Sequence, residues 1–135
     1  MLKEAVLKTT PALLEAAENV VKEMDSARVE QWGSLNWRLH ELLYRASDRP
    51  QGLAIVRALH EKSGRYFRFQ VVNAPIRKVA HDEHLELISL CRQRKTRAAC
   101  EALEKHIEDA SRQVLGIVQK LLSEPVPKRQ ATARQ

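Results

Sequence analysis

The chain is 135 residues long, 44% hydrophobic and carries a formal net charge of +6, a length that suits one domain with its own apolar core. Four glycines, five prolines and no alternating β-branched run exclude a sheet-rich class, and the abundance of Ala, Leu, Glu, Lys, Arg and Gln predicts an all-α fold. No stretch approaches the roughly 18 apolar residues of a membrane span, and the N-terminal MLKEAVLKTTPALLEAAENVV lacks the unbroken apolar core of a signal peptide. With no secretory segment, Cys91 and Cys100 read as free thiols, and a soluble, cytoplasmic protein is expected.

A short apolar segment over residues 2–8 ends at Thr9-Thr10-Pro11, where Thr10 can cap a new helix and Pro11 takes its first position. That helix is predicted to run to Met24, and the next from Ala27 to Ser47. The turn Ser47-Asp48-Arg49-Pro50 opens a long helix to Val72, with Gly64 as a point of interruption. Asn73-Ala74-Pro75 makes the next break, a fifth helix covers 76–93, and a sixth runs from Arg97 to Leu122 after the basic turn Arg94-Lys95-Thr96. Pro125 and Pro127 end the ordered bundle, so residues 124–135 are expected to be a disordered basic tail. Part of the positive charge sits there: PVPKRQATARQ has three basic residues and no acid. Elsewhere Lys and Arg are interleaved with Glu and Asp, the pattern of a solvated helix surface rather than a nucleic-acid face.

Helical periodicity marks the buried faces and sets imidazoles beside them. The last helix repeats apolar residues at Ala99, Leu103, Ile107 or His106, Ala110, Val114, Ile117 and Leu121. The fifth has Val79 or Ala80, Leu87, Ile88 and Cys91, with His84 on the same face. In SLNWRLHELLYRAS, Leu35, Leu39, Leu42 and Leu43 bracket Asn36 and His40, which lie four apart and project together. A lone imidazole at an apolar boundary is ordinarily a packed or surface side chain. Three on three helices make a stronger case, because helical bundles build metal sites from facing helices and imidazole suits Zn, Ni, Cu or Fe. On the long helix, His60, Ser63, Phe67 and Gln70 share a face as candidate cavity residues, Arg65 and Arg68 are placed to fork onto a carboxylate, and Tyr44 is divided between core packing and a cavity hydroxyl. His81 is expected at the surface beside Asp82 and Glu83.

The order Asn36-x3-His40, then His84 inside DEHLELISLC 44 residues later, then His106 inside EALEKHIEDA 22 further on, resembles the metal-site pattern of the FCD domain, the C-terminal effector-binding domain of FadR-type GntR bacterial transcription regulators. LNWRLHELLYRASDRP and HDEHLELISLCRQRKTRAACEALEKHI are similar to the family's metal-bearing helix and its closing helix pair, and the likeness spans about Thr10 to Leu122. It implies an antiparallel bundle over residues 1–123 in which an Asp and three His hold a divalent transition metal, zinc or nickel, with a small organic acid bound beside it. Asn36 stands at the Asp position and His40, His84 and His106 at the histidine positions. An amide oxygen can ligate but brings no charge, so metal affinity is expected to fall and preference for an anionic ligand to rise. The resemblance further implies a homodimer that meets DNA only through a winged-helix domain, which this chain is expected to lack, with the first family helix represented by Leu2–Lys8 alone.

An effector-sensing module is therefore the expected function, with no membrane partner and no catalysis. Hydrolysis at such a metal would need a general base, and Glu41 and Glu83, each one residue from a histidine, are about 100° out of phase. A metal-free dimerisation module whose histidines fill core is the alternative.

Overall fold

Thr10 and Asn73 each start a helix in the same way. The side-chain oxygen of Thr10 accepts the Leu13 N–H at 3.3 Å and that of Asn73 accepts the Ile76 N–H at 3.2 Å, with a proline in the first turn of each helix. The computed structural model describes residues 1–124, apart from the side chains of Phe69, Gln70 and Ala74, so the expected basic tail beyond Glu124 and the Gln70 side chain lie outside the described residues. Within them the order is α1 (Leu2–Lys8), α2 (Pro11–Asp25), α3 (Val29–Tyr44), a 3-10 turn (Arg45–Ser47), α4 (Pro50–Val71), α5 (Ala74–Arg92) and α6 (Thr96–Ser123), with no strand. The all-α fold expected from composition is what forms.

The core lies where α2 packs on α3 and α5 and where α5 packs on α6. Leu39, Val20, Val21, Leu87 and Ile88 are completely enclosed there, each worth about 1.5–3 kcal/mol by transfer from water. Two arginines tie the layers together through helix ends that would otherwise leave carbonyls unpaired. Arg77 of α5 donates to Met24 O at 3.0 Å and to Asp25 O and Ala27 O at 3.3 Å, closing the C-terminal end of α2. Arg94, whose left-handed backbone (φ 59°) turns the chain from α5 to α6, donates to Thr9 O at 2.8 Å and to Val6 O, closing α1.

Three local expectations are revised. The third helix is α-helical only over Val29–Tyr44, because its last residues tighten into the 3-10 turn before Asp48 takes a left-handed φ of 55°. Helix α4 continues through Gly64, where an added Cβ would meet nothing within 4 Å, so the glycine costs helix propensity without ending the helix. The apolar stripe of α6 is only partly covered: Ala99 is buried, but Ile107 and Leu121 are 53% and 51% exposed. Helices α3, α4 and α6 enclose a cavity on that side, lined on α6 by residues from His106 to Val118.

Candidate metal centre

Helix α3 carries Asn36 and His40 one turn apart on its buried face, and α5 and α6 bring His84 and His106 against them. Ring centroids are 5.5 Å apart for His40–His84, 5.5 Å for His40–His106 and 4.7 Å for His84–His106. One nitrogen from each ring lies within 4.8 Å of the other two. A metal with bonds of about 2.0–2.1 Å would gather them by inward shifts of less than about one ångström each. Asn36, His40 and His84 are 6%, 7% and 1% exposed.

The polar inventory shows that this cluster is incomplete by itself. Asn36 Oδ1, His40 Nδ1 and His84 Nε2 are buried without a hydrogen-bond partner, and among the described residues the only other such atom is Thr9 Oγ1. Leaving one buried polar atom unsatisfied costs about 1–3 kcal/mol, so three at one place mark a site built for something that supplies the missing bonds. An amide oxygen and three imidazole nitrogens are donors that fit a divalent transition metal. Burial, reinforced by the neighbouring His106 and His60, pushes the His40 imidazole down to about 3, and burial, then His40, His106 and His81, holds His84 well below its ordinary value. Both rings are therefore uncharged at neutral pH, the form that can ligate.

His106 has a carboxylate partner on α5. Its Nδ1 donates to Glu83 Oε2 at 2.6 Å, a contact with both side chains mostly buried. That fixes the tautomer and leaves Nε2 carrying the lone pair, the arrangement by which carboxylates orient metal-binding histidines. The expected phase argument against Glu83 fails here. A helical wheel places its Cα about 100° from His84, but the Glu83 side chain reaches His106 on the neighbouring α6. The tripeptide Asp82-Glu83-His84 held that signal, readable only once the α5–α6 pairing is known.

A cavity of about 620 Å³ opens beside the histidines between α3, α4 and α6. Asn36, His40, Tyr44, His60, Ser63, Phe67 and His106 all line it. Tyr44 stacks on His40 (6.0 Å, 28°), and burial pushes its phenol up to about 12. His60 Nε2 meets Gly33 O at 3.0 Å and its ring sits between Trp37 and Phe67, at 5.5 and 4.8 Å. Burial takes its pKa below the ordinary value. The Ser63 hydroxyl donates to Leu59 O at 3.0 Å.

Arg65 and Arg68 are placed elsewhere. Both line an adjoining cleft of about 530 Å³ between α3 and α4, which shares Trp37, His60 and Phe67 with the first, and the Arg65 guanidinium lies 5.4 Å from the Tyr66 ring centroid. Arg65 is five residues past His60, about 140° round the helix, and Arg68 is one past Phe67, about 100° away. His81 is not fully exposed: its Nδ1 is 2.8 Å from Asp25 Oδ1, joining α5 to the end of α2. The thiols of Cys91 and Cys100 are free, as expected.

No curated protein and no solved structure gives a match. The family model for the FCD domain matches residues 1–109, a span that takes in all of α1 to α5 and the part of α6 carrying His106, and so the whole histidine cluster. This chain belongs to the FCD domain family.

Proposed function

We propose that this chain is the effector-sensing domain of a transcription regulator, holding zinc or nickel with Asn36, His40, His84 and His106 and recognising a small carboxylate from the adjoining cavity. The observation that carries this reading is the convergence of Asn36, His40 and His84, each with a buried, unpartnered ligand atom, where Asn36 and His40 also line a cavity large enough for a small molecule. A divalent cation bound there supplies a Lewis-acidic positive centre for an incoming carboxylate oxygen. The chain's own residues do the rest. His40 and His84 stay neutral, Glu83 holds the His106 ring, and Tyr44 and His60 border the space the ligand enters.

Sensing rather than catalysis suits Glu83, whose carboxylate is engaged with His106 rather than free to take a proton from water. In a full homodimeric regulator the effector would act by differential affinity for two arrangements of paired winged-helix domains, which read the DNA.

Elemental analysis of protein purified without chelator and without a nickel column tests the metal, with His84→Ala in parallel. Near-stoichiometric metal in the parent and its loss in the variant support the reading. Metal in neither overturns it in favour of a metal-free dimerisation module.

A further inference from the structure

The walls of the cavity carry information about the ligand that the histidine cluster does not. Beyond the polar end, α4 and α6 line it with Val56, Leu59, Ile107, Val114, Leu115 and Val118, and among the described residues no Lys, Arg, Asp or Glu lines it. Leu59, Ile107 and Leu115 are 59%, 53% and 56% exposed, apolar surface that an occupant would cover. The α6 wall from His106 to Val118 is about 18 Å long at 1.5 Å per residue, and a volume near 620 Å³ would leave a two- or three-carbon acid surrounded mostly by water. The two arginines that could answer a second carboxylate, Arg65 and Arg68, line the other cleft.

We propose that this cavity selects a monocarboxylate with an extended apolar body, a medium-chain aliphatic or aryl-alkanoic acid, and rejects di- and tricarboxylates. The carboxylate lies at the His40–His106 end and the hydrocarbon runs between α4 and α6. This assignment rests on the proposed effector reading for the position of the head group. The body is argued from the walls alone. A second carboxylate placed along them would be taken out of water with no cation to meet it.

The test is calorimetric titration of zinc-saturated full-length chain with straight-chain acids from acetate to decanoate, alongside succinate, citrate and the ten-carbon α,ω-diacid. Affinity should rise about two- to fourfold per added methylene, the effect of burying one CH₂ wholly or in part, and decanoate should bind at least tenfold more tightly than the diacid of equal length. Leu59→Arg puts a cation into an exposed position of the wall and should bring the diacid level with decanoate or ahead of it. A flat series, or succinate or citrate binding more tightly than hexanoate, overturns the proposal. So does a flat series with a concentration-dependent mass that Leu115→Asp lowers, since the face would then be covered by a second copy of the chain. The zinc content of the same samples reports separately on the metal. A rising series in protein that takes up no zinc keeps the apolar cavity and removes the metal, whereas zinc-loaded protein with a flat series does the reverse.

Discussion

Replacing Glu83 by alanine removes the carboxylate that accepts the His106 Nδ1 proton at 2.6 Å while leaving all four proposed ligand side chains in the sequence. The ring loses the partner that fixes its tautomer and orientation, and the site loses its nearest negative charge. Losing such an outer carboxylate ordinarily weakens metal binding about 10- to 100-fold. At a free zinc concentration 100 times the parent Kd, the parent gains about 2.7 kcal/mol from the metal. A variant with a 10- to 100-fold weaker site gains about 1.4 to 0.4 kcal/mol under the same conditions. For a chain of this length, where 1 kcal/mol moves Tm by about 3–5 °C, the zinc-induced rise should fall from about 8–13 °C to about 1–7 °C. Differential scanning fluorimetry of chelator-treated protein with and without zinc measures it, and taking the difference cancels any destabilisation of the metal-free fold. Glu83→Gln keeps an acceptor but no charge and should fall between the two. A parent-sized zinc increment in Glu83→Ala would refute the role assigned to Glu83.

His84→Ala and His106→Ala should each abolish zinc-dependent stabilisation, because two imidazoles on different helices chelate poorly; unchanged increments in both rule out this site. His84→Ala should also lower the Tm of the metal-free protein by more than His106→Ala, since only His84 is fully enclosed. Chelator-treated protein should lose stability in acid. His40 titrates at about 3 when folded against 6.5 ordinarily, so below pH 6.5 the unfolded chain binds the extra proton. The stabilisation present above pH 6.5 then declines toward pH 3, by a few kcal/mol from this one residue, with His84 acting in the same direction. Urea midpoints at pH 7.5, 5.5 and 4.5 measure the loss, and a profile that stays level between pH 7.5 and 4.5 contradicts the burial argument.

The local rules were the legible part of this sequence. Thr10-Pro11 and Asn73-Ala74-Pro75 encode caps in a few neighbouring atoms, and both helices start there. The faces of α2 and α3 follow from period alone, because each is packed along its length and Leu14, Ala17, Val21, Leu39 and Leu43 have only one place to go. What period cannot give is which helix lies opposite. Glu83 looked out of phase because a wheel describes one helix, whereas its bond is to His106 on another, α6. Arg65 and Arg68 were named for their guanidinium chemistry rather than for a shared face, and they line the adjoining cleft while Ser63 and Phe67 line the cavity. The apolar stripe of α6 was readable as a stripe. That its outer half borders an open cavity instead of a closed core depends on how far α4 stands from it, a distance no single-helix pattern carries.

The position of charge links the centre to its ligand. Three neutral imidazoles and the Asn36 amide bring no charge to a divalent ion, while the Glu83 carboxylate, hydrogen-bonded to His106, brings one negative charge from just outside the ligand set. The proposed assembly then carries one net positive charge facing a cavity that, among the described residues, no Lys, Arg, Asp or Glu lines. One carboxylate neutralises it, and a second would be surplus in a medium that screens poorly. The same sum predicts that two nearly isosteric changes act oppositely. Asn36→Asp adds a negative charge at the ion, so it should tighten zinc and weaken octanoate binding to the zinc-saturated protein. Glu83→Gln removes a negative charge, so it should weaken zinc and tighten octanoate once zinc is saturating. Titration of octanoate into both variants, each held at saturating zinc, reads the two signs directly. If both changes moved octanoate affinity the same way, charge balance would not govern the ligand, and the selectivity of the cavity would rest on its apolar walls alone.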